Sequence, residues 1–136
     1  MVVPLVLVLS SLSPVTPPGR WHAAQYVSCD SPAVCEFKLY LGFGISTGAL
    51  IGLCDIDVPA VDDLVADSLR VHVEEWIRSA RQIVVFVAMV GNRELVVSDR
   101  VMGWVLLDGK DLSTKMLRAG MATWSKEPCY QGRGSL

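Results

Sequence analysis

The sequence lacks the residue spacings of a typical zinc protein. Its only two histidines, His22 and His72, lie far apart and are interpreted as plain polar residues. A structural zinc site usually takes cysteine or histidine ligands in closely spaced pairs, which are absent here. Scattered thiols are typical of small buried apolar residues in a reducing compartment, and the sequence leaves open a disulfide between two of them. The four cysteines are Cys29, Cys35, Cys54 and Cys129.

The sequence also lacks a long apolar run and an excess of basic residues. Hydrophobic residues make up 51% of the chain, but no uncharged apolar run reaches the roughly 18–20 residues that cross a bilayer. The formal net charge is −2, whereas a protein that works on nucleic acid usually carries a basic face. A membrane partner is therefore not expected, and a nucleic acid is possible but not favoured. The length of 136 residues suits one domain with a substantial core.

The first 19 residues, "MVVPLVLVLSSLSPVTPPG", differ in composition from the rest. They have the apolar centre of a signal peptide, but no basic residues precede it and Pro4 interrupts it. We therefore expect a strand at residues 2–9 followed by a stiff proline-rich linker, and a cytoplasmic or virion-associated location rather than secretion. The chain divides into an apolar arm with its linker (1–19), a folded domain (20–127) and an irregular tail (128–136).

The arm is predicted to bind a protein partner or a second subunit. An apolar strand outside a domain exposes side chains and unpaired backbone groups together, and such strands pair with sheet edges of other chains. The alternative is that the arm packs on its own barrel. Its apolar residues are Val2, Val3, Leu5, Val6, Leu7, Val8 and Leu9.

Hydrophobic periodicity predicts the order β-β-β-α-β-β-α beyond the arm. The segments "RWHAAQYVSC", "CEFKLYLGFG" and "ALIGLCDID" are typical of strands, whereas residues 61–80 have apolar side chains at helical spacing. Two more strands follow, interrupted near Ser98, and then an Asp-Gly turn and a short helix that ends at Gly120. This order predicts an α+β fold, a five-stranded antiparallel barrel of the oligonucleotide-binding (OB) type, with Trp76 and Leu69 of the long helix buried.

Four segments in this order resemble the staphylococcal nuclease (thermonuclease-like) family, in its phage and bacterial branch. They are "LGFGI", "GLCDIDVP", the helix-to-strand segment through "ARQIVVFV", and "DRVMGWVLLDGKDLSTKMLRAGMA". The second is similar to the family pattern R-L-x-G-I-D-x-P-E, and the fourth keeps the register of the family's turn, helix and terminal glycine. The resemblance covers about residues 20–124 and implies an SNase-like OB barrel.

The resemblance also implies what an active site would need. The family's enzymes hydrolyse phosphodiester bonds with one calcium ion held by two aspartates, two arginines that contact phosphate, and a glutamate that orients water. Carried over position by position, one metal aspartate falls on Asp57 and the second arginine on Arg100. The remaining three positions hold residues without these functional groups, namely Ala33, Gly52 and Ala60.

The loss of three of five groups predicts a pseudoenzyme. One carboxylate is a poor site for calcium, which takes six to eight oxygen ligands, so no cofactor is expected. Asp57 is at most a residual metal ligand, Arg100 a residual catalytic residue, and no nucleic-acid-binding residue is assigned. We expect a structural or interaction module, such as a phage virion or tail component. The alternative is a calcium-dependent DNA or RNA endonuclease with a rearranged site that uses Asp30, Asp57, Asp62 and Arg100.

Overall fold

The computed structural model describes residues 20–127 and residue 129. The predicted arm strand, its seven apolar residues and most of the predicted tail lie outside the described residues. The described part is mainly β, with a closed barrel of five strands and two helices. In chain order its elements are β1 Arg20–Ser31, β2 Val34–Gly42, β3 Ile45–Leu53, β4 Ile56–Asp57, α1 Asp63–Ser79, β5 Ile83–Val87, β6 Met89–Val90, β7 Arg93–Glu94, β8 Val96–Val97, β9 Arg100–Leu107, β10 Lys110–Asp111, α2 Leu112–Arg118 and β11 Thr123–Trp124.

The barrel closes in the order β1-β2-β3-β9-β5, with β5 pairing again with β1. Four of the five contacts are antiparallel, as predicted. The contact between β3 and β9 is parallel, with Ile51 opposite Val101, so the prediction of an entirely antiparallel barrel is wrong at this junction. The reason is that each antiparallel contact reverses the strand direction, and a closed ring with an odd number of strands cannot reverse at every contact. One of the five contacts must therefore be parallel. The barrel encloses a core that includes Phe37, Ile51 and Val105, each fully buried.

The turns and helix ends follow the local sequence signals. Asp108 and Gly109 both have positive φ, of 52° and 82°, which is the backbone of the tight Asp-Gly hairpin turn. The chain also breaks at Ser98, between β8 and β9, where φ is 58°. Helix α2 is followed by Gly120 with φ of 74°, a left-handed conformation that glycine adopts without a steric penalty.

Helix α1 covers the barrel only with its second half. Asp62 caps its first turn, since the carboxylate accepts a hydrogen bond of 2.9 Å from the Val65 amide. Val73 and Ile77 are buried, whereas Leu64 near the start is 85% exposed. The early part of the predicted apolar stripe therefore extends past the sheet into solvent.

The prediction that Leu69 and Trp76 are buried is correct only in part. Both are half-buried and pack against the margin of the core. The indole of Trp76 instead lies between the edge of His72, at a ring distance of 5.9 Å, and the ammonium group of Lys115, at 4.7 Å. A cation over an indole face is electrostatically favourable, so this part of the helix is held by contacts on the surface of the domain.

A polar network joins α1 to the barrel. Glu74 is 7% exposed, and its carboxylate accepts hydrogen bonds from the Tyr26 hydroxyl of β1 and from Arg70 Nη1, the latter at 2.6 Å. Arg78 stacks on the Tyr26 ring at 5.4 Å. A buried carboxylate needs such partners to offset its lost hydration. The hydrogen bond from Tyr26 ties the helix to β1, whereas Arg70, on the same helix, stabilises the charge of Glu74.

We expect this network to make stability decrease at alkaline pH. Burial, followed by the hydrogen bond to Glu74 and that group's negative charge, raises the pKa of the Tyr26 hydroxyl above its ordinary value of 10.0. The pKa of Tyr26 is higher in the folded state than in the unfolded state. The protonated hydroxyl therefore contributes its full stabilisation of the folded state below about pH 10, and this contribution is lost as the pH rises through the folded-state pKa. Ultraviolet titration of tyrosinate should therefore show one tyrosine ionising late.

The matched variant for this titration is Glu74→Gln, which keeps the size of the side chain and removes its charge. In this variant the delayed titration should move back toward pH 10, and the alkaline loss of stability should become smaller. A delayed titration that is unchanged in Glu74→Gln would contradict the assignment to Tyr26.

The four cysteines form two disulfides, so the interpretation of scattered buried thiols is wrong. Cys29 pairs with Cys35 and Cys54 pairs with Cys129. The first bond forms because the β1–β2 register places Cys29 directly opposite Cys35. The second joins the end of β3 to the tail across 75 positions of sequence, a contact that spacing alone does not reveal. Neither helix of the described residues is long and apolar enough to cross a membrane.

Candidate functional site

A cavity of about 310 Å³ collects most of the positions that the family resemblance singles out. It lies where the turn after β1, the end of β3, strand β4 and the start of β9 come together. Asp57, Arg100, Gly52 and Ala33 all line it. These four residues are separated by up to 67 positions in sequence, so only the closed barrel brings them together.

Among the described residues, Asp57 is the only acidic one that lines this cavity. It lies on β4, where its backbone pairs with Thr123 of β11, and it is exposed. Asp57 forms no ion pair with Arg100, since among the described residues no cationic group lies within 4.0 Å of its carboxylate. Asp57 is thus a solvated carboxylate at the cavity wall.

Arg100 opens β9 and supplies the cation of the cavity. Its side chain is 37% exposed, and its Nε lies 3.7 Å from the Asp99 carboxylate, too far for a hydrogen bond. Nε is buried and has no hydrogen-bond partner among the described residues. A buried N–H group without an acceptor is uncommon, so Arg100 retains an unused donor beside the cavity.

Gly52 lies on the wall opposite this side chain and has no room for a larger residue in the present arrangement. A Cβ atom at Gly52 would lie 2.9 Å from both Arg100 Cδ and Met102 Sδ. The side chains of Arg100 and Met102 therefore occupy the space where the family's first arginine would begin. An arginine at position 52, which the family resemblance would call for, would therefore compete with Arg100 for one volume.

The other acidic residues considered for a rearranged site are placed elsewhere. Asp30 lines a separate cavity against the start of α1, together with Asp63 and Asp67. Asp62 is engaged as the helix cap. Ala60 is exposed in the segment before α1 and does not line the candidate cavity. The proposed set of Asp30, Asp57, Asp62 and Arg100 does not converge on this cavity.

Asp55 has a structural role that sequence reasoning missed. It lies in the turn between β3 and β4 with φ of 72°. Its carboxylate accepts hydrogen bonds from Trp104 Nε1 at 2.8 Å and from the Cys129 amide at 2.9 Å. Both carboxylate oxygens are therefore engaged in holding the core strand and the tail. No local sequence signal distinguishes such an aspartate from a metal ligand.

The tryptophans of the described residues differ in exposure. Trp104 is buried, with 4% of its surface exposed, and belongs to the core. Trp21 and Trp124, near the ends of the folded domain, are 64% and 71% exposed. Trp124 follows the residue that pairs with Asp57, so one exposed indole belongs to the strand next to the cavity.

The residues present do not fit a calcium ion of the kind that the family resemblance implies. Calcium binds six to eight oxygen atoms and depends on several carboxylate or carbonyl ligands. The cavity offers the single carboxylate of Asp57, next to the positive charge of Arg100. Among the described residues, no group of three or more histidine, cysteine, aspartate or glutamate side chains is placed to hold a metal.

Comparisons with known proteins do not assign the chain to a family. No family model matches the sequence, and no curated protein matches it either. The resemblance to staphylococcal nuclease therefore stands on the motifs and positions described above.

Proposed function

We propose that this chain is a catalytically degenerate nuclease-like barrel that acts as a structural or interaction module. The observation that carries the proposal is the candidate cavity. Four of the five positions that the family resemblance assigns to catalysis meet there, and two of the four have lost the functional group. If the family roles are carried over to these positions, the site lacks the metal ligands and the general base that hydrolysis requires.

The barrel connectivity supports the finer assignment to the OB type. A closed five-stranded barrel with a helix between its third and fourth strands is the arrangement expected of an SNase-like OB fold. The predicted parts occur in the predicted order, including the interruption at Ser98 and the helix that ends at Gly120. We propose this identity from connectivity and motif positions together.

The two disulfides favour a location outside a reducing cytosol. Disulfides persist in oxidising environments, which include secreted proteins and the surfaces of virions and cells. Of the locations expected from the sequence, a virion-associated one agrees with both bonds, and the cytoplasm does not. We therefore propose a virion or tail component whose partners are proteins, reached through the N-terminal arm.

The proposal predicts no calcium-stimulated cleavage of single-stranded or duplex DNA by the purified chain. Restoring the missing groups with Ala33→Asp, Gly52→Arg and Ala60→Glu together should recover a trace of activity. Arginine at position 52 requires Arg100 and Met102 to shift, which their flexible side chains permit. Loss of supercoiled plasmid, measured with calcium and with chelator, reads out both results.

The matched control is the same triple variant with Asp57→Ala, which should be inactive because the remaining original metal ligand is gone. Robust calcium-dependent cleavage by the unaltered chain, abolished by Asp57→Ala alone, would overturn the proposal and support the endonuclease alternative.

A further inference from the structure

A second, mainly apolar groove lies at one end of the barrel. The start of β1, the end of β2, the start of β3 and the end of β5 meet there, and together they enclose a cavity of about 240 Å³. Its apolar wall consists of Leu39, Leu41, Ala49, Val87 and Val101. We call these residues the barrel-mouth groove. An ion pair of 3.8 Å between Arg20 and Glu94 lies at its rim, so the groove has an apolar floor and a charged margin.

One edge of this groove offers unpaired backbone groups. Strand β3 pairs with β9 only at Ile51, Gly52 and Leu53. Residues 45–50 pair with β2 alone in the described part of the chain. The β2–β3 hairpin therefore projects beyond the closed barrel with a free edge of six residues. A free edge of this length is a template for an added strand.

The tip of the same hairpin carries apolar side chains in solvent. Leu41 is 46% exposed, Ile45 is 56% exposed, and Phe43 is fully exposed. Phe43 has φ of 55° between two glycines that also have positive φ, so the turn holds its ring outward. Three exposed apolar residues at alternate positions of one hairpin tip, at the end of an open edge, are typical of a contact surface.

The chain itself contains a matching segment. Residues 1–19 lead directly into Arg20, which lines the groove. Residues 2–9 hold seven apolar side chains among eight, so both faces of an extended strand there would be apolar. The ten residues between this strand and Arg20 reach at most roughly 30 Å when extended, which sets the range of the arm. The attachment of the arm at Arg20 and its apolar character therefore both match the groove.

We infer that the arm of a second copy of this chain adds to the free edge of β3 and fills the barrel-mouth groove, reciprocally in a two-fold dimer. This inference rests on the proposed assembly function and names its receptor surface. Docking of the arm on its own barrel would bury only the face turned to the groove. A reciprocal exchange brings two hairpins together, so the second apolar face and the Phe43 tips are covered as well. Pro14, Pro17 and Pro18 stiffen the linker and favour exchange over a tight reversal.

The test uses full-length chains with one half of the contact altered in each. Val6→Lys with Val8→Lys disables the arm, and Ala49→Arg blocks the groove. Ala23→Arg, on the exposed outer face of β1, is the matched control. In analytical ultracentrifugation the unaltered chain and Ala23→Arg should be dimers, whereas the arm and groove variants should each be monomers with unchanged circular dichroism.

Mixing the two monomeric variants is the decisive step. One copy then supplies an intact arm and the other an intact groove, so a heterodimer with one arm–groove contact should form, with weaker affinity than the unaltered dimer.

A mixture that stays monomeric would overturn the exchange between copies. If Ala49→Arg still assembles while the arm variant does not, the arm remains the assembly element and the groove is not its receptor. A monomeric unaltered chain would overturn both the exchange and self-assembly, and would leave the catalytic part of the proposed function untouched.

Discussion

Removing the Cys54–Cys129 disulfide is expected to lower the free energy of unfolding by about 4–5 kcal/mol. The bond joins residues 75 positions apart, and the unfolded chain gains most entropy when a long loop is opened. Cys54 is fully buried, so the double variant Cys54→Ala with Cys129→Ala avoids both a buried hydroxyl and an unpaired thiol. Guanidinium unfolding should show an earlier midpoint, and Tm should fall by roughly 10–20 °C.

The Cys29–Cys35 bond provides the matched control. It spans 6 positions, and the same argument gives about 2 kcal/mol for its removal by Cys29→Ala with Cys35→Ala. The expected order is therefore the unaltered chain, then the short-loop variant, then the long-loop variant. If both double variants lost the same free energy of unfolding, the loop-closure explanation would be contradicted. If the long-loop variant were as stable as the unaltered chain, the Cys54–Cys129 bond would not form.

Gly103→Ala is expected to destabilise the barrel by about 3 kcal/mol, at the upper end of typical overpacking effects. A Cβ atom there would lie 2.5 Å from the Phe86 carbonyl oxygen, a contact that only a shift of backbone can relieve. The backbone is fixed on both sides, because Gly103 is paired with Leu53 of β3 and with Val87 of β5. Alanine should therefore disrupt the junction where β9 closes the barrel, and urea unfolding should show a lower midpoint.

Gly48→Ala is the corresponding change at a glycine of β3 with ordinary space around it. The nearest atom to its Cβ would be Glu36 Oε2 at 3.4 Å, the end of a flexible side chain. Since glycine weakens a strand through its backbone entropy, this variant should be as stable as the unaltered chain or slightly more stable. A Gly103→Ala protein that unfolds at the same urea concentration as Gly48→Ala would refute the steric explanation.

Local sequence signals were sufficient for the main strands, the two helices and several of their ends, but not for the turn at residues 54–55 that divides the predicted strand "ALIGLCDID" into β3 and β4. The Asp-Gly pair at residues 108–109, the interruption at Ser98 and the glycine that ends α2 each act through a few neighbouring residues, and the structure confirms all three. In the segment "CEFKLYLGFG", which is typical of a strand, Phe37 and Leu39 are buried, whereas Leu41 is exposed. Periodicity failed for Leu64 and Val65, because a helical stripe indicates an apolar face but not how far a sheet extends beneath it.

The candidate site also combines features that the sequence predicted with features that only the folded barrel reveals. Motif register identified Asp57 and Arg100, and the structure places both in one cavity with Gly52 and Ala33. The engagement of Asp55 by Trp104 and by the tail was not predictable, since a hydrogen bond across 49 or 74 positions leaves no local trace. The same holds for Arg100 and Met102, which fill the space beside Gly52.

The sequence by itself determined the order of the main strands and helices, most turn positions and which residues stand at the positions matched to the family's catalytic groups, because each depends on residue types or short spacings. Only the tertiary structure decided the parallel β3–β9 contact, the pairing of the cysteines, the free edge of residues 45–50 and the cavity that gathers four of the matched positions. These features depend on which distant segments meet when the barrel closes, and closure is a property of the whole sheet.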